Sequence, residues 1–521
     1  MTNECAVPAG IDAADWRRTP EAVRLLLVAL GAALSQQQET IARLEQTIAE
    51  QQQTIAQLKE TVAGQQQELV RLGARVATLT ERVQQNSQNS SKPPSSDGPH
   101  IKPRPQQAPS GRRAGGQAGH AGHWRPLVPE SQVSEVVDVR PATCACCRQA
   151  LSGDDPGPSR RQIVDLPPIV LWVKEVRVHA LVCPQCGATT RGEDPADLPK
   201  GSFGPRVVAS IGYLVGAVHV GYRSAAAVME DLLGLELSVG SVHALATQAS
   251  EAVAAPVAAA QKAVREAEAV NADETSWREQ GKRCWLWVAV TKAVVAFCLQ
   301  PWRNSAAARH LLGSTFRGVL TSDRYSAYYW VDQTRRQVCW AHLRRDFAAF
   351  LDRTGAAATI GQALLDASDD LFRLWHRVRD GTLSRQNCQR QMVSIQTRVG
   401  DLLREGEALT GTKTAGTCRQ ILRLETALWT FLTVEGVEPT NNTAERALRS
   451  AVLWRKRSLG TKTQAGSLLV ERMLTVVATL CLQRRNILDY LTEACDAASS
   501  GRTPPSLLPA NAAAPAELRA A

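Results

Sequence analysis

The sequence predicts a multidomain chain, mainly α with an α/β part. It reads as an N-terminal coiled coil, a small β module built on paired cysteines, and an α/β core interrupted by a helical insertion. Three observations predict this. Apolar residues recur in heptads over residues 27–83. Two Cys-x2-Cys pairs flank an alternating run at 169–182. From residue 269 the text reads strand, strand, strand, helix, strand, and a long insert then precedes a last helix.

Length and composition set the bounds. At 521 residues, about 150 per domain gives three to four domains. A hydrophobic content of 44% is ample for a core, and a net charge of +10 favours a polyanionic partner, most simply nucleic acid. The 13 Cys are odd in number, and seven stand alone in helical or strand-like text. That suits a reducing compartment with one metal site better than a disulfide framework. After Arg17 and Arg18 of the N-terminal segment 1–26, AVRLLLVALGAALS (22–35) resembles a signal-peptide core. However, Leu27, Leu30 and Leu34 are in phase with the heptads that follow, and Thr19-Pro20-Glu21 reads as a helix start. A long helix in a cytoplasmic protein is expected.

In the coiled coil, position a runs Leu27, Leu34, Ile41, Ile48, Ile55, Val62, Leu69, Val76, Val83. Position d alternates Leu with Gln: Leu30, Gln37, Leu44, Gln51, Leu58, Gln65, Leu72, then Leu79. Largely β-branched a with Leu at d favours a parallel dimer, and the Gln residues fix register at a cost in stability. One helix packed on the chain's own core is the alternative. Residues 84–130 are rich in Ser, Pro, Gly and base and read as a flexible basic linker. Arg112 and Arg113 there could follow a phosphate backbone, or the segment could be a passive solvated linker.

Residues 131–200 carry CACC and CPQC. Cys144, Cys147, Cys183 and Cys186 have the spacing of a four-thiolate structural zinc site. The run IVLWVKEVRVHALV (169–182) is expected to fill the gap with strand and return the second pair to the first. Cys146 is read as a bystander, and His120 and His123 as weaker ligands. Residues 201–268 are helical, with a turn near Leu235–Leu237. They read as a helix-turn-helix or as a plain helical connector.

The core then divides into 269–346, a helical insertion at 347–430, and C-terminal helices at 431–495, with a disordered tail at 496–521. Strands are expected in AVNADETSW, CWLWVAVT, AVVAFCLQ, RGVLTSDRYSAYYW and RQVCWAHLRRDF. Three antiparallel strands, a helix and a parallel strand is the order of an RNase H-like core. Such a core carries one acid on its first strand and one at the end of its fourth, where Asp273 and Asp323 fall. Glu445 starts the last helix. Carboxylates from separate elements are what a two-metal phosphoryl-transfer site requires. Each has a structural reading too. Asp273 could cap a hairpin turn and Asp323 the turn at Arg324, and Asn442 with Glu445 spells a capping box. Arg446, Arg449, Arg455, Lys456, Arg457 and Lys462 follow as a phosphate track or a solvated basic face. In CWAH, Cys339 and His342 either support the site or pack in the core.

Seven motifs stand in this order: SSKPPSSDG, RRAGGQAGH, the paired Cys knuckles, ADET, SDRYSAY, CWAHLRRDF and NNTAERALR. In this the chain resembles the transposases of the insertion sequence 66 family, from about residue 35 to 505. The resemblance implies an N-terminal zipper, a zinc-binding module, and an RNase H-like domain whose acidic triad is Asp273, Asp323 and Glu445. Arg324 stands where the family often has Gly.

The expected activity is cleavage at the ends of an insertion sequence and transfer of the 3′-hydroxyl into target DNA. Two Mg2+ (or Mn2+) are expected, with Asp273 bridging both and Asp323 and Glu445 holding one each. Double-stranded DNA, a second copy of the chain and accessory proteins of the same element are the expected partners. A non-catalytic DNA-binding regulator and a nuclease that cuts without joining are the rival readings.

Overall fold

Heptad text with good helix formers and no interior proline produces one long helix. In the computed structural model, α1 (Ala13–Arg18) is followed by α2 (Glu21–Gln84), a helix of 64 residues. The structure describes residues 7–84 and 125–509, except Pro156, Asp194, Ala196, Asp197, Pro199 and Lys200. Arg112, Arg113, His120 and His123 lie outside the described residues. The chain divides into two units, Met1–Gln85 and Asn86–Ala521. In the first, the a and d residues from Leu27 to Leu79 are exposed along α2.

The cysteine-bearing stretch holds little regular structure. Among the described residues its strands are β1 (Ala180–Val182) and β2 (Thr189–Arg191), which pair antiparallel, with one isolated bridge between Thr143 and Ala150. The strand expected over 169–182 is therefore confined to its last three residues. The alternation is real, but a strand needs a hydrogen-bonded neighbour, and residues 169–179 pair with no described strand.

Four helices follow: α3 (Pro205–Gly216), α4 (Tyr222–Leu233), α5 (Val239–Ala252) and α6 (Ala254–Arg265). The expected turn at Leu235–Leu237 lies between α4 and α5. Gly234 ends α4 in the left-handed region at φ 66°, and Ser238 caps α5 by accepting from the Ser241 N–H. These helices are more than a connector, since Val208, Ile211, Val242 and Val257 share one core with the sheet that follows.

That sheet has five strands: β3 (Ala269–Glu279), β4 (Lys282–Val290), β5 (Val295–Gln300), then α7 (Ser305–Leu312), β6 (Val319–Ser322) and β7 (Arg336–Val338). Its spatial order is β5-β4-β3-β6-β7. β3, β4 and β5 run antiparallel, whereas β6 is parallel to β3 and β7 to β6. β7 is shorter than the text suggested, because α8 (Trp340–Leu351) begins inside CWAH and buries Trp340, Leu343 and Phe347.

Helices α9 (Ala356–Arg379), α10 (Arg385–Ala408), α11 (Lys413–Leu422) and α12 (Thr430–Thr433) form the insertion. With α8 they bury a second core, which includes Leu364, Trp375, Met392 and Phe431. The chain returns through α13 (Asn442–Ser458), α14 (Gln464–Gln483) and α15 (Ile487–Ser499).

α14 is the one described helix long and apolar enough to cross a membrane, yet more than half of it is buried here. It lies along the open edge of β5. Glu471, Thr475 and Thr479 accept hydrogen bonds from the N–H groups of Leu299, Phe297 and Val295 at 2.6, 3.0 and 3.0 Å. A helix thus satisfies the donors that an edge strand would otherwise leave bare. The expected disordered tail is packed at its start. Leu507 is fully buried, and Tyr490 Oη donates to the Pro505 carbonyl at 2.9 Å.

Candidate active site

Two parallel neighbours in the sheet carry the first two acids. Asp273 lies mid-strand on β3, opposite Val288. The hairpin turn it might have capped is at Gln280–Gly281, seven residues on. Side chains alternate across a strand, so Asp273 and Glu274 leave opposite faces of the sheet. Asp323 directly follows β6. Its Oδ1 accepts the Tyr325 N–H at 2.9 Å, so it does cap its own turn. Glu445 sits in the first turn of α13.

The capping box at Asn442 does not form. The helix is preceded by Asn441, which makes no side-chain cap bond. Its amide instead donates from Nδ2 to the Ala272 carbonyl at 2.8 Å, and its backbone N–H points to Cys339 Sγ at 3.1 Å. The Cys339 N–H in turn donates to the Ser322 carbonyl at 2.9 Å. One chain of hydrogen bonds therefore joins the residue before Asp273, the residue before Asp323, and the start of the helix that carries Glu445.

Charge is concentrated here. The Asp273 carboxyl is pushed well above its ordinary range, first by burial, then by the negative charges of Glu274, Asp323 and Glu445. Carboxylates that raise one another in this way are a site that favours a cation. Glu274 is raised to about 7 by burial and then by Asp323, with Arg303 opposing. Its carboxylate accepts from Arg303 at 2.7 Å and from Tyr328 Oη at 2.5 Å. Arg303 also lies over the Tyr325 ring at 3.9 Å. Beneath Asp323, the buried Arg336 donates from Nη2 to the Asp323 carbonyl at 3.2 Å.

The two residues of CWAH are beside the third acid. His342 Nδ1 is 3.5 Å from Glu445 Oε1, and Arg345 Nη2 is 3.7 Å from Glu445 Oε2. Cys339, His342 and Glu445 bring their ligand atoms within 4.8 Å of one another, the one such group among the described residues. The three acids themselves stand further apart than this. Arg324, at the position of the family's Gly, holds Asp346 of α8 at 2.7 Å and Gln420 of α11 at 3.2 Å. It ties the loop after Asp323 to the insertion.

The basic residues of α13 separate into two kinds. Arg446, Arg449, Lys456 and Arg457 are exposed on the helix, and Lys462 is exposed just beyond it. Arg455 turns inward and donates to Thr275 Oγ1 at 3.0 Å and Ser276 Oγ at 2.9 Å on β3. Arg457 donates to the Val218 carbonyl at 3.2 Å.

The cysteine pairs form two similar turns. The Cys144 and Cys183 N–H groups each donate at 2.8 Å to a carbonyl five residues on, Gln149 and Ala188. Arg148 and Gly187 take positive φ at matching places. Backbone N–H groups of Cys147 and Cys146 lower the Cys144 thiol, and those of Cys186 and Gln185 lower Cys183. The two turns are alike, but the four thiols are not gathered within 4.8 Å.

Sequence reasoning missed Glu274, Arg336 and Asn441 as parts of this site. ADET and TNN displayed two of them, but their roles rest on partners 29 to 169 residues away.

The chain is 30% identical over 260 residues to the uncharacterised protein y4qI of Sinorhizobium fredii (strain NBRC 101917 / NGR234), covering 44% of this chain and 48% of that protein. The match thus spans about half the length of y4qI. The uncharacterised protein y4hP of the same strain is 25% identical over 399 residues, 68% of this chain and 70% of its own. A model of a family of unknown function, DUF6444, matches residues 32–126. The model of the IS66 transposase family matches residues 200–468, just over half of the chain and the part that holds Asp273, Asp323 and Glu445, and the chain belongs to that family.

Proposed function

We propose that this chain is a DNA transposase that cleaves at the ends of an insertion sequence and transfers the freed 3′-hydroxyl into target DNA. Its catalytic domain is RNase H-like, and Asp273, Asp323 and Glu445 are its acidic triad. The observation that carries this reading is the sheet order, with acids on two adjacent parallel strands and a third on a helix tied to both. The raised Asp273 carboxyl supports it, since burial and neighbouring acids disfavour its ionised form and a hard cation would favour it again.

Asp273, Asp323 and Glu445 would hold Mg2+ through oxygen donors alone. Bound there, divalent ions activate a hydroxyl nucleophile and stabilise the charge of an in-line phosphoryl displacement. The chain's own residues do the rest. Asn441 and Cys339 hold the three acid-bearing elements in register. Arg336 sets a buried positive charge behind Asp323. Arg446, Arg449, Lys456, Arg457 and Lys462 offer exposed cations to the DNA backbone. Cys144, Cys147, Cys183 and Cys186 would hold one structural Zn2+, whose binding energy would draw the two turns together. The exposed apolar stripe of α2 pairs with a second copy of the chain, linking two active sites. These activities belong in the cytoplasm, on the nucleoid.

Asp273→Ala tests the reading. With Mg2+ or Mn2+ and a duplex bearing element ends, strand cleavage should vanish while duplex binding persists. Cleavage that survives the substitution refutes the assignment. Pre-cut ends separate joining from cutting, because a transposase joins them to target DNA and a simple nuclease does not.

A further inference from the structure

A triad of carboxylates leaves out Cys339 and His342, which lie beside its third member, Glu445. Cys339 Sγ, an imidazole nitrogen of His342 and a carboxylate oxygen of Glu445 converge within 4.8 Å. Two of these atoms are buried without a partner, namely His342 Nδ1 and Glu445 Oε1. The His342 side chain is only 9% exposed, so water does not readily make up the loss. Nδ1 and Oε1 face each other at 3.5 Å, too long for a good hydrogen bond. Donors about 2.0–2.2 Å from a tetrahedral ion lie roughly 3.4 Å apart, which is this spacing.

We propose that Cys339, His342 and Glu445 form a binding site for one divalent cation of the borderline class, Zn2+ or Co2+. Thiolate, imidazole and carboxylate together select such ions over Mg2+, which takes oxygen donors. Three protein donors leave a fourth position for water, the pattern of an open rather than a closed zinc site. The site stands on donor chemistry and geometry, whether or not DNA cleavage is the activity.

Arg345 works against loading. An arginine only donates, so its Nη1, 3.2 Å from His342 Nε2, makes Nε2 an acceptor and leaves the proton on Nδ1. A cation at Nδ1 requires the opposite tautomer. On loading, the Cys339 thiol gives its proton to solvent, the imidazole carries its proton on Nε2, and Arg345 moves off that nitrogen. Its Nη2 already stands 3.7 Å from Glu445 Oε2, which offers it another partner. The structure therefore holds the latched state of the site.

The test is a Co2+ titration of the full chain, followed by visible absorption and by counting bound equivalents. The cysteine turns at 144–147 and 183–186 also take cobalt, so the quantity read is a difference between variants. Wild type should bind one Co2+ more per chain than Cys339→Ser or His342→Asn. The lost equivalent should carry thiolate-to-cobalt charge transfer with mixed nitrogen and oxygen ligation. Arg345→Met keeps all three donors and should bind that equivalent at least ~5-fold more tightly, since a like charge and a tautomer lock are removed. Equal stoichiometry and spectra in wild type and Cys339→Ser would overturn the proposal. So would unchanged or weaker affinity in Arg345→Met, which is independent of whether the ligand variants fold.

Discussion

Asn441→Ala removes the amide that ties the start of α13 to β3. The Nδ2 bond to the Ala272 carbonyl is 2.8 Å long and buried. A typical net hydrogen bond is worth ~1 kcal/mol, and a buried carbonyl left without a donor costs a further ~1–3 kcal/mol. Against this, Asn441 Oδ1 is already buried without a partner, so its removal returns part of the loss. The balance is a destabilisation of about 1–2 kcal/mol. Asn441→Asp should be worse. It cannot donate to Ala272, and it adds a carboxylate beside Asp273, Asp323 and Glu445. The expected order in EDTA at pH 7 is therefore wild type, then Ala, then Asp. Denaturant unfolding followed by tryptophan fluorescence measures it, with equal slopes showing that only stability has changed. An Ala variant within ~0.5 kcal/mol of wild type would refute the tether, as that is the range of inert surface substitutions. An Asp variant as stable as the Ala variant would refute the crowding of negative charge.

Two other outcomes follow from the same structure. Burial raises Glu471 to about 7 from an ordinary 4.5, so the folded chain favours its protonated form. Its stabilisation is full below about pH 4.5 and is lost as pH rises through 7, a change of up to ~3 kcal/mol. Glu471→Gln should flatten stability between pH 5 and 8, and an unaltered slope would rule this out. Along α2, Ile55 and Leu58 are 51% and 59% exposed at a and d positions, and each is worth roughly 1.5–3 kcal/mol if buried by a partner. The double change Ile55→Glu and Leu58→Glu should convert a dimer to a monomer by sedimentation analysis, and an unchanged mass would exclude pairing through this stripe.

Much of the core was legible because local pattern and burial agree. CWLWVAVT reads as a buried strand, and Leu286, Val288 and Val290 are buried in β4. The alternation in AVNADETSW survives in β3, which buries Val270, Ala272 and Glu274 on one face. The same rule misled at IVLWVKEVRVHALV, where period-two text describes side chains but does not supply a partner strand. The polar Glu471, Thr475 and Thr479 in an apolar helix were visible as residues. Their role was not, since it depends on which strand forms the sheet's edge.

The third acid shows why a local signal can lose. A side-chain cap at Asn442 would contribute ~1 kcal/mol, and the text N-T-A-E specifies it well. Asn441 competes with two long-range contacts, one to Ala272 and one to Cys339, in a buried place. Leaving the Ala272 carbonyl bare would cost more than the cap returns. The helix therefore starts one residue earlier than the box requires, with Asn442 inside it as the first helical residue. That shift fixes the orientation of Glu445 by contacts to the strands that hold the other two acids, not by the helix itself. An arrangement positioned by a local cap would tolerate loss of the Asn441 amide or of the Cys339 thiol. One positioned by this network should lose Glu445 alignment when either end is altered.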